Sequence, residues 1–138
     1  MRKLRKVAIV SALAALTFAG APLAAAQAAD GNFYAWRDVN YGGPYCAWQG
    51  DDSNWSTCSP GGNMLNQASS VWNNGYAETY DDVNVYWGSG YSGASKCIGR
   101  GGYIADLSYY TFPYNGTGGG ETLNNNIASH KWVLNSTC

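Results

Sequence analysis

Few side chains in this 138-residue chain could do acid–base or nucleophilic chemistry. His130 is the lone histidine, so a general base or a nucleophile's partner would have to be His130. Adjacent carboxylates occur at Asp51-Asp52 and Asp81-Asp82. Neighbours on a strand point to opposite faces, so these pairs read as turn residues and not as an acid–base couple. Thiol chemistry would need a free cysteine. The four present, Cys46, Cys58, Cys97 and Cys138, are an even set in a small chain, which reads as two disulfides. Three pairings are possible. The expected one closes a short loop with Cys46–Cys58 and staples the C-terminus with Cys97–Cys138. In chain-entropy terms the short loop is worth about 3 kcal/mol and the longer one somewhat more. No enzyme is expected.

Binding chemistry is the alternative. Trp55 sits in the polar run Asp51-Asp52-Ser53-Asn54-Trp55-Ser56, inside the expected Cys46–Cys58 loop. An exposed aromatic in a rigid loop has the character of a protein-binding anchor. The six tryptophans could instead form a sugar-stacking face, but Trp72 and Trp132 are expected to pack in the core.

The elements that would position these residues are short strands. Val83, Val85 and Trp87 alternate with Asn84 and Tyr86, and Phe33 to Trp36 and Trp132 to Leu134 are aromatic or branched runs. Turn signals recur at Gly42-Gly43-Pro44, Ser59-Pro60-Gly61-Gly62, Asn74-Gly75, Gly99 to Gly102 and Asn115-Gly116 through Gly120. A short helical turn is expected near Ala105 to Leu107, and an exposed loop from Tyr110 to Thr122. Short strands at this spacing describe an all-β sandwich or small barrel.

Compartment follows from the N-terminus. Arg2, Lys3, Arg5 and Lys6 precede an apolar stretch from Val7 to about Ala19 and a small-residue end at Ala26-Gln27-Ala28. That is the three-part pattern of a secretory signal peptide, expected over residues 1–28 with cleavage after Ala28, or alternatively after Ala26. The apolar run falls short of the ~20 residues that span a bilayer. The remaining chain, 29–138, is expected to be one secreted domain. It keeps four basic residues (Arg37, Lys96, Arg100, Lys131) against nine acidic ones, a net charge of −5. An acidic surface argues against nucleic acid and anionic membranes as partners. Charged residues make up only 12% of the chain, against a usual share of about 25%.

The chain also repeats itself. Leu65-Asn66-Gln67-Ala68-Ser69-Ser70-Val71-Trp72 recurs loosely as Asn125-Asn126-Ile127-Ala128-Ser129-His130-Lys131-Trp132, placing Ser69 on Ser129 and Trp72 on Trp132. Upstream, Tyr41-Gly42-Gly43 and Tyr91-Ser92-Gly93 each precede a cysteine. Two units of roughly fifty residues, about 32–80 and 81–138, would share one core. Ser69 and Ser129 are expected to reach back to the glycine turns, and His130, at a motif position, to be structural.

On Asn40-Tyr41-Gly42-Gly43, Asn66-Gln67-Ala68-Ser69-Ser70, Val83-Asn84-Val85-Tyr86 and Asn124-Asn125-Asn126-Ile127-Ala128-Ser129, the chain resembles the βγ-crystallin Greek-key motif. The resemblance spans residues 32–134. Within that superfamily it is similar to the secreted bacterial peptidase inhibitors of βγ-crystallin type, several of which act on metalloproteinases. This implies a βγ-crystallin-like sandwich of two Greek-key motifs and an extracellular peptidase as partner. A monomer is expected. It also implies calcium as the candidate ion, with Asn66, Ser69, Asn125, Asn126 and Ser129 at ligand positions. None of these is a carboxylate, Leu65 replaces the first Asn/Asp of one unit, and His130 replaces the closing Ser of the other. Structural loops with no required cofactor are therefore expected. The expected mechanism is occlusion of the enzyme's cleft by a rigid loop: Gly50 to Asn63, carrying Asp51, Asp52, Ser53, Asn54 and Trp55, or Tyr110 to Glu121.

Overall fold

Period-two patterning sets the strands: β1 (Asn32–Trp36), β2 (Tyr45–Trp48), β3 (Ser70–Asn74), β4 (Asp82–Gly88), β5 (Ser92–Ile98), β6 (Tyr103–Ile104) and β7 (Ser129–Val133). The computed structural model describes residues 27–138. The expected signal peptide lies outside them, except for Gln27 and Ala28. Phe33 and Ala35 of β1 are buried while Tyr34 and Trp36 face outward. A 3-10 turn at Leu107–Tyr109 stands close to the expected helical turn, and the Asp106 side chain caps it by accepting from the Ser108 N–H.

Two antiparallel sheets form, ordered β2-β1-β3-β6 and β5-β4-β7. Each unit lends backbone to the other's sheet. From the second unit, β6 pairs with β3 through Val71–Ile104 and Trp72–Tyr103. From the first, Asp52 bridges His130 of β7, with its N–H donating to the His130 carbonyl at 3.1 Å and the reverse bond at 2.9 Å. This exchange makes the core common to both units. Phe33, Val71, Val83 and Val85 meet there with no exposed surface. The disulfides are Cys46–Cys58 and Cys97–Cys138.

The two units are related one residue out of step with the sequence match. Ser70 Oγ accepts from the Tyr41 N–H at 3.0 Å and donates to the Asp38 carbonyl at 2.7 Å. Ser129 Oγ accepts from the Tyr91 N–H at 3.1 Å and donates to the Gly88 carbonyl at 2.6 Å. The turns they hold share a backbone path: φ is 60° at Tyr41 and 59° at Tyr91, 72° at Gly43 and 78° at Gly93. Glycine suits the last position because a Cβ is disfavoured at positive φ.

The serine equivalent to Ser129 is therefore Ser70, and the expectation for Ser69 is corrected. Ser129, not His130, closes the second motif. Slipping a strand by one residue exchanges its faces, so Trp72 and Trp132 are not equivalent either. Trp132 lies opposite Val83 and packs against the core. Trp72 lies on the outer face of the first sheet, stacked on Tyr34 with ring centroids 5.9 Å apart. Its expected place in the core is overturned.

Candidate functional site

His130 is fully buried. Trp55 Nε1 donates to its Nδ1 at 2.9 Å. An indole N–H can only donate, so Nδ1 carries no proton and Nε2 carries it. Nε2 then donates to the Gly50 carbonyl at 2.9 Å. Burial pulls the imidazole pKa down to about 4, against smaller upward pulls from the Gly50 carbonyl, Asp52 and Asp51. The ring is neutral, shut away from solvent and packed on Phe33 and Trp48. It cannot reach a substrate.

The same contacts correct the reading of Trp55. It has 0% exposure and stacks on Trp48 at 4.7 Å. Its backbone N–H donates to the Ala128 carbonyl at 3.0 Å. The polar run around it is the crossing segment that completes the second sheet, so its one large aromatic turns inward. The neighbours are fastened too. Asp51 Oδ1 accepts from the Trp132 N–H at 2.8 Å, and Asp52 Oδ2 from Trp48 Nε1 at 2.7 Å. The Ser53 carbonyl accepts from the Gly90 N–H at 2.7 Å. Ser53 and Asn54 are exposed. Gly50 to Asn63 thus lies along the sandwich and offers no projecting anchor at Trp55.

The calcium candidates form a second cluster. Asn66 donates its N–H to the Ile127 carbonyl at 3.0 Å, and Asn125 donates to the Ala68 carbonyl at 2.9 Å. Both asparagines have positive φ, 53° and 59°. These reciprocal bonds join the two motif loops. Asn126 Nδ2 donates to the Thr122 carbonyl at 2.9 Å. The Ser129 hydroxyl is committed to the Tyr91 turn, and in the corrected register Ala128 stands where the first loop has Ser69. Neither 65–70 nor 124–129 contains a carboxylate. Calcium favours carboxylate oxygens, so this donor set fits it poorly. Among the described residues, the one close group of His, Cys, Asp or Glu donors is Asp82 with Cys97 and Cys138, whose sulfurs form a disulfide.

The second expected loop behaves differently. Residues 110–122 leave the sandwich and return as a closed lobe. Phe112 and Leu123 are buried at its base. The Phe112 N–H donates to the Glu121 carbonyl at 2.9 Å, and the Leu123 N–H to the Tyr110 carbonyl at 2.8 Å. Asn115 clasps β5, accepting from the Ser95 N–H and donating to the Ser95 carbonyl, each at 3.0 Å. The Thr117 carbonyl accepts from the Ala94 N–H at 2.7 Å. Trp87 Nε1 donates to Glu121 Oε2 at 2.8 Å. Gly118 has φ +86° and lies against the Trp87 ring, where no side chain would fit. From this braced lobe Tyr114 projects with 91% of its surface exposed.

Sequence reasoning named the loop and missed Tyr114. The signal was present in Pro113-Tyr114-Asn115-Gly116, a large aromatic set in turn residues. Nor does the sequence show the tyrosines that line the outer face of the first sheet, because strand pairing alone brings Tyr34, Tyr45 and Tyr103 to one face.

The family model of Peptidase inhibitor family I36 matches residues 21–98. No curated protein matches the chain. Among solved structures, one reported on the evolution of the eye lens βγ-crystallin domain fold is 16% identical, with a TM-score of 0.56 over 79% of this chain and 91% of that one. A βγ-crystallin from Ciona intestinalis is 17% identical, with a TM-score of 0.52 over 74% and 99%. A βγ-crystallin from an archaeon is 17% identical, with a TM-score of 0.53 over 74% and 96%. The fold is all-β and βγ-crystallin-like.

Proposed function

The chain belongs to peptidase inhibitor family I36, and from that premise we propose that it blocks an extracellular metalloproteinase by setting the 110–122 lobe into the enzyme's cleft. The observation that carries this reading is Tyr114, almost wholly exposed on a loop hydrogen-bonded along its length. A loop already held in its binding shape loses little conformational entropy on docking. An aromatic anchor at the centre of such a contact supplies most of the affinity.

The chemistry of the tip restricts the target. Residues 113–117 carry no Lys or Arg, so they do not suit a specificity pocket floored by a carboxylate. A tyrosine suits a deep, largely apolar pocket. The two disulfides fit an oxidising compartment, where secreted peptidases act. Among the described residues no helix is long and apolar enough to cross a membrane.

The test is titration of the secreted protein against a panel of secreted metallo- and serine peptidases. Stoichiometric inhibition of a metalloproteinase supports the reading. No inhibition across the panel at micromolar concentration removes it.

A further inference from the structure

We propose that the outer face of the first sheet is a second binding site, for a neutral glycan. Tyr45 of β2, Tyr34 and Trp36 of β1, Trp72 of β3 and Tyr103 of β6 form an aromatic band across all four strands. Tyr34 stacks on Trp36 at 5.4 Å and on Trp72 at 5.9 Å. Tyr41 folds over from the first turn, edge-on to Trp36 at 5.3 Å. Between these rings lies a groove of about 540 Å³, lined by Trp36, Tyr41, Trp72, Asn74, Gly101 and Tyr103. Gln27 closes one end. It would leave with a signal peptide cut after Ala28, opening that end further.

The lining decides the ligand. It holds no charged side chain, so an ionic ligand finds no counter-charge there. It does hold two covered polar atoms, Tyr41 Oη and Asn74 Nδ2, with no hydrogen-bond partner among the described residues. Asn74 is only 5% exposed. The nearby Asp30 carboxylate accepts from the Tyr34 hydroxyl at 2.5 Å and the Asn32 N–H at 3.0 Å, and the Asn74 side chain makes at most the weakest of the hydrogen bonds acting on it. Buried polar groups are normally satisfied, and a native exception calls for a reason. A ligand that stacks a C–H face on the rings and brings hydroxyls to these two atoms supplies one. Sites for small ligands share this build, mostly apolar with a few placed polar groups. Sugar hydroxyls both donate and accept, so one ring can satisfy the amide and the phenol together. A proline-rich peptide also stacks on such rings and its carbonyls can accept from both atoms, but it brings no donor for the Tyr41 oxygen, which a sugar hydroxyl supplies.

This site is on a different surface from the 110–122 lobe and stands independently of the inhibitor reading. It would hold the protein on a polysaccharide while the lobe remained free.

The test is depletion of the secreted protein by slurries of cellulose, chitin and peptidoglycan. Fragments of any retaining polymer are then titrated by tryptophan fluorescence. Retention on at least one polymer is expected. Tyr103, 70% exposed, can be replaced without disturbing the core. Tyr103→Ala and Trp72→Ala are each expected to weaken retention about tenfold or more, whereas Tyr114→Ala leaves it unchanged. No retention on any polymer overturns the proposal, as does retention indifferent to Tyr103→Ala. So does tighter binding of a polyproline peptide, or a sedimenting dimer in which the Tyr103 face is covered.

Discussion

Trp55 Nε1 donates to His130 Nδ1 at 2.9 Å across 75 residues of sequence, inside the core. This bond ties the crossing segment of the first unit to the closing strand of the second. It also fixes the imidazole as neutral.

Acid should therefore loosen the fold through His130. Its pKa is about 4 when folded against an ordinary 6.5. Above pH 6.5 both states are neutral and the stability is fully present. Between about 6.5 and 4 the unfolded chain takes up a proton that the fold refuses, so stability falls, by on the order of 3 kcal/mol in all. Urea midpoints measured from pH 7.5 down to 5, above the main carboxylate range, should decline steadily. The slope should vanish in His130→Gln. A flat profile in the parent chain would contradict this.

Removing the donor should matter nearly as much. Trp55→Phe leaves Nδ1 buried without a partner and should cost about 1–3 kcal/mol. Because Trp55 is core and not anchor, the folded variant should inhibit as the parent does. Chemical denaturation measures the first effect and an inhibition assay the second. Lost inhibition in a folded variant would return the anchor role to Trp55.

The sequence was legible where chemistry is local. Tyr41 and Tyr91 before their glycines, the alternation of Val83 and Val85, and the turn-rich 110–122 stretch all have near-neighbour causes. It misled where the cause was distant. Matching Ala68-Ser69 to Ala128-Ser129 maximises identity, but only the hydrogen bonds to Tyr41 and Tyr91 show that Ser70 is the counterpart of Ser129. That single residue reverses the face of Trp72. Trp55 has polar neighbours in sequence, and its partners His130 and Ala128 come from the other unit. No local pattern reports an exchanged strand.

The corrected register makes its own prediction. Ser70→Ala and Ser129→Ala each strip a turn of its two side-chain bonds and should cost about 1–3 kcal/mol. Ser69, whose hydroxyl makes no side-chain hydrogen bond among the described residues, should tolerate alanine within about 0.5 kcal/mol. Urea denaturation of the three variants distinguishes the registers. Equal losses in Ser69→Ala and Ser129→Ala, with Ser70→Ala silent, would restore the sequence match.

Calcium should not raise the melting temperature. A ligand stabilises the fold only by binding it in preference to the unfolded chain, and the 65–70 and 124–129 loops offer amides and hydroxyls without a carboxylate. Melting curves in chelator and in millimolar calcium should superimpose. A clear upward shift, lost in Asn125→Ala, would mean that these loops hold the ion after all.

The central claim is that the 110–122 lobe carries inhibition through Tyr114. Its most direct test is the inhibition constant of Tyr114→Ala beside Tyr103→Ala, against whichever metalloproteinase the parent chain blocks. Both side chains are exposed, so both variants should fold. Loss of an anchor worth about 2 kcal/mol raises the constant roughly thirtyfold. The account predicts that rise for Tyr114→Ala and none for Tyr103→Ala. An unchanged constant for Tyr114→Ala would contradict it.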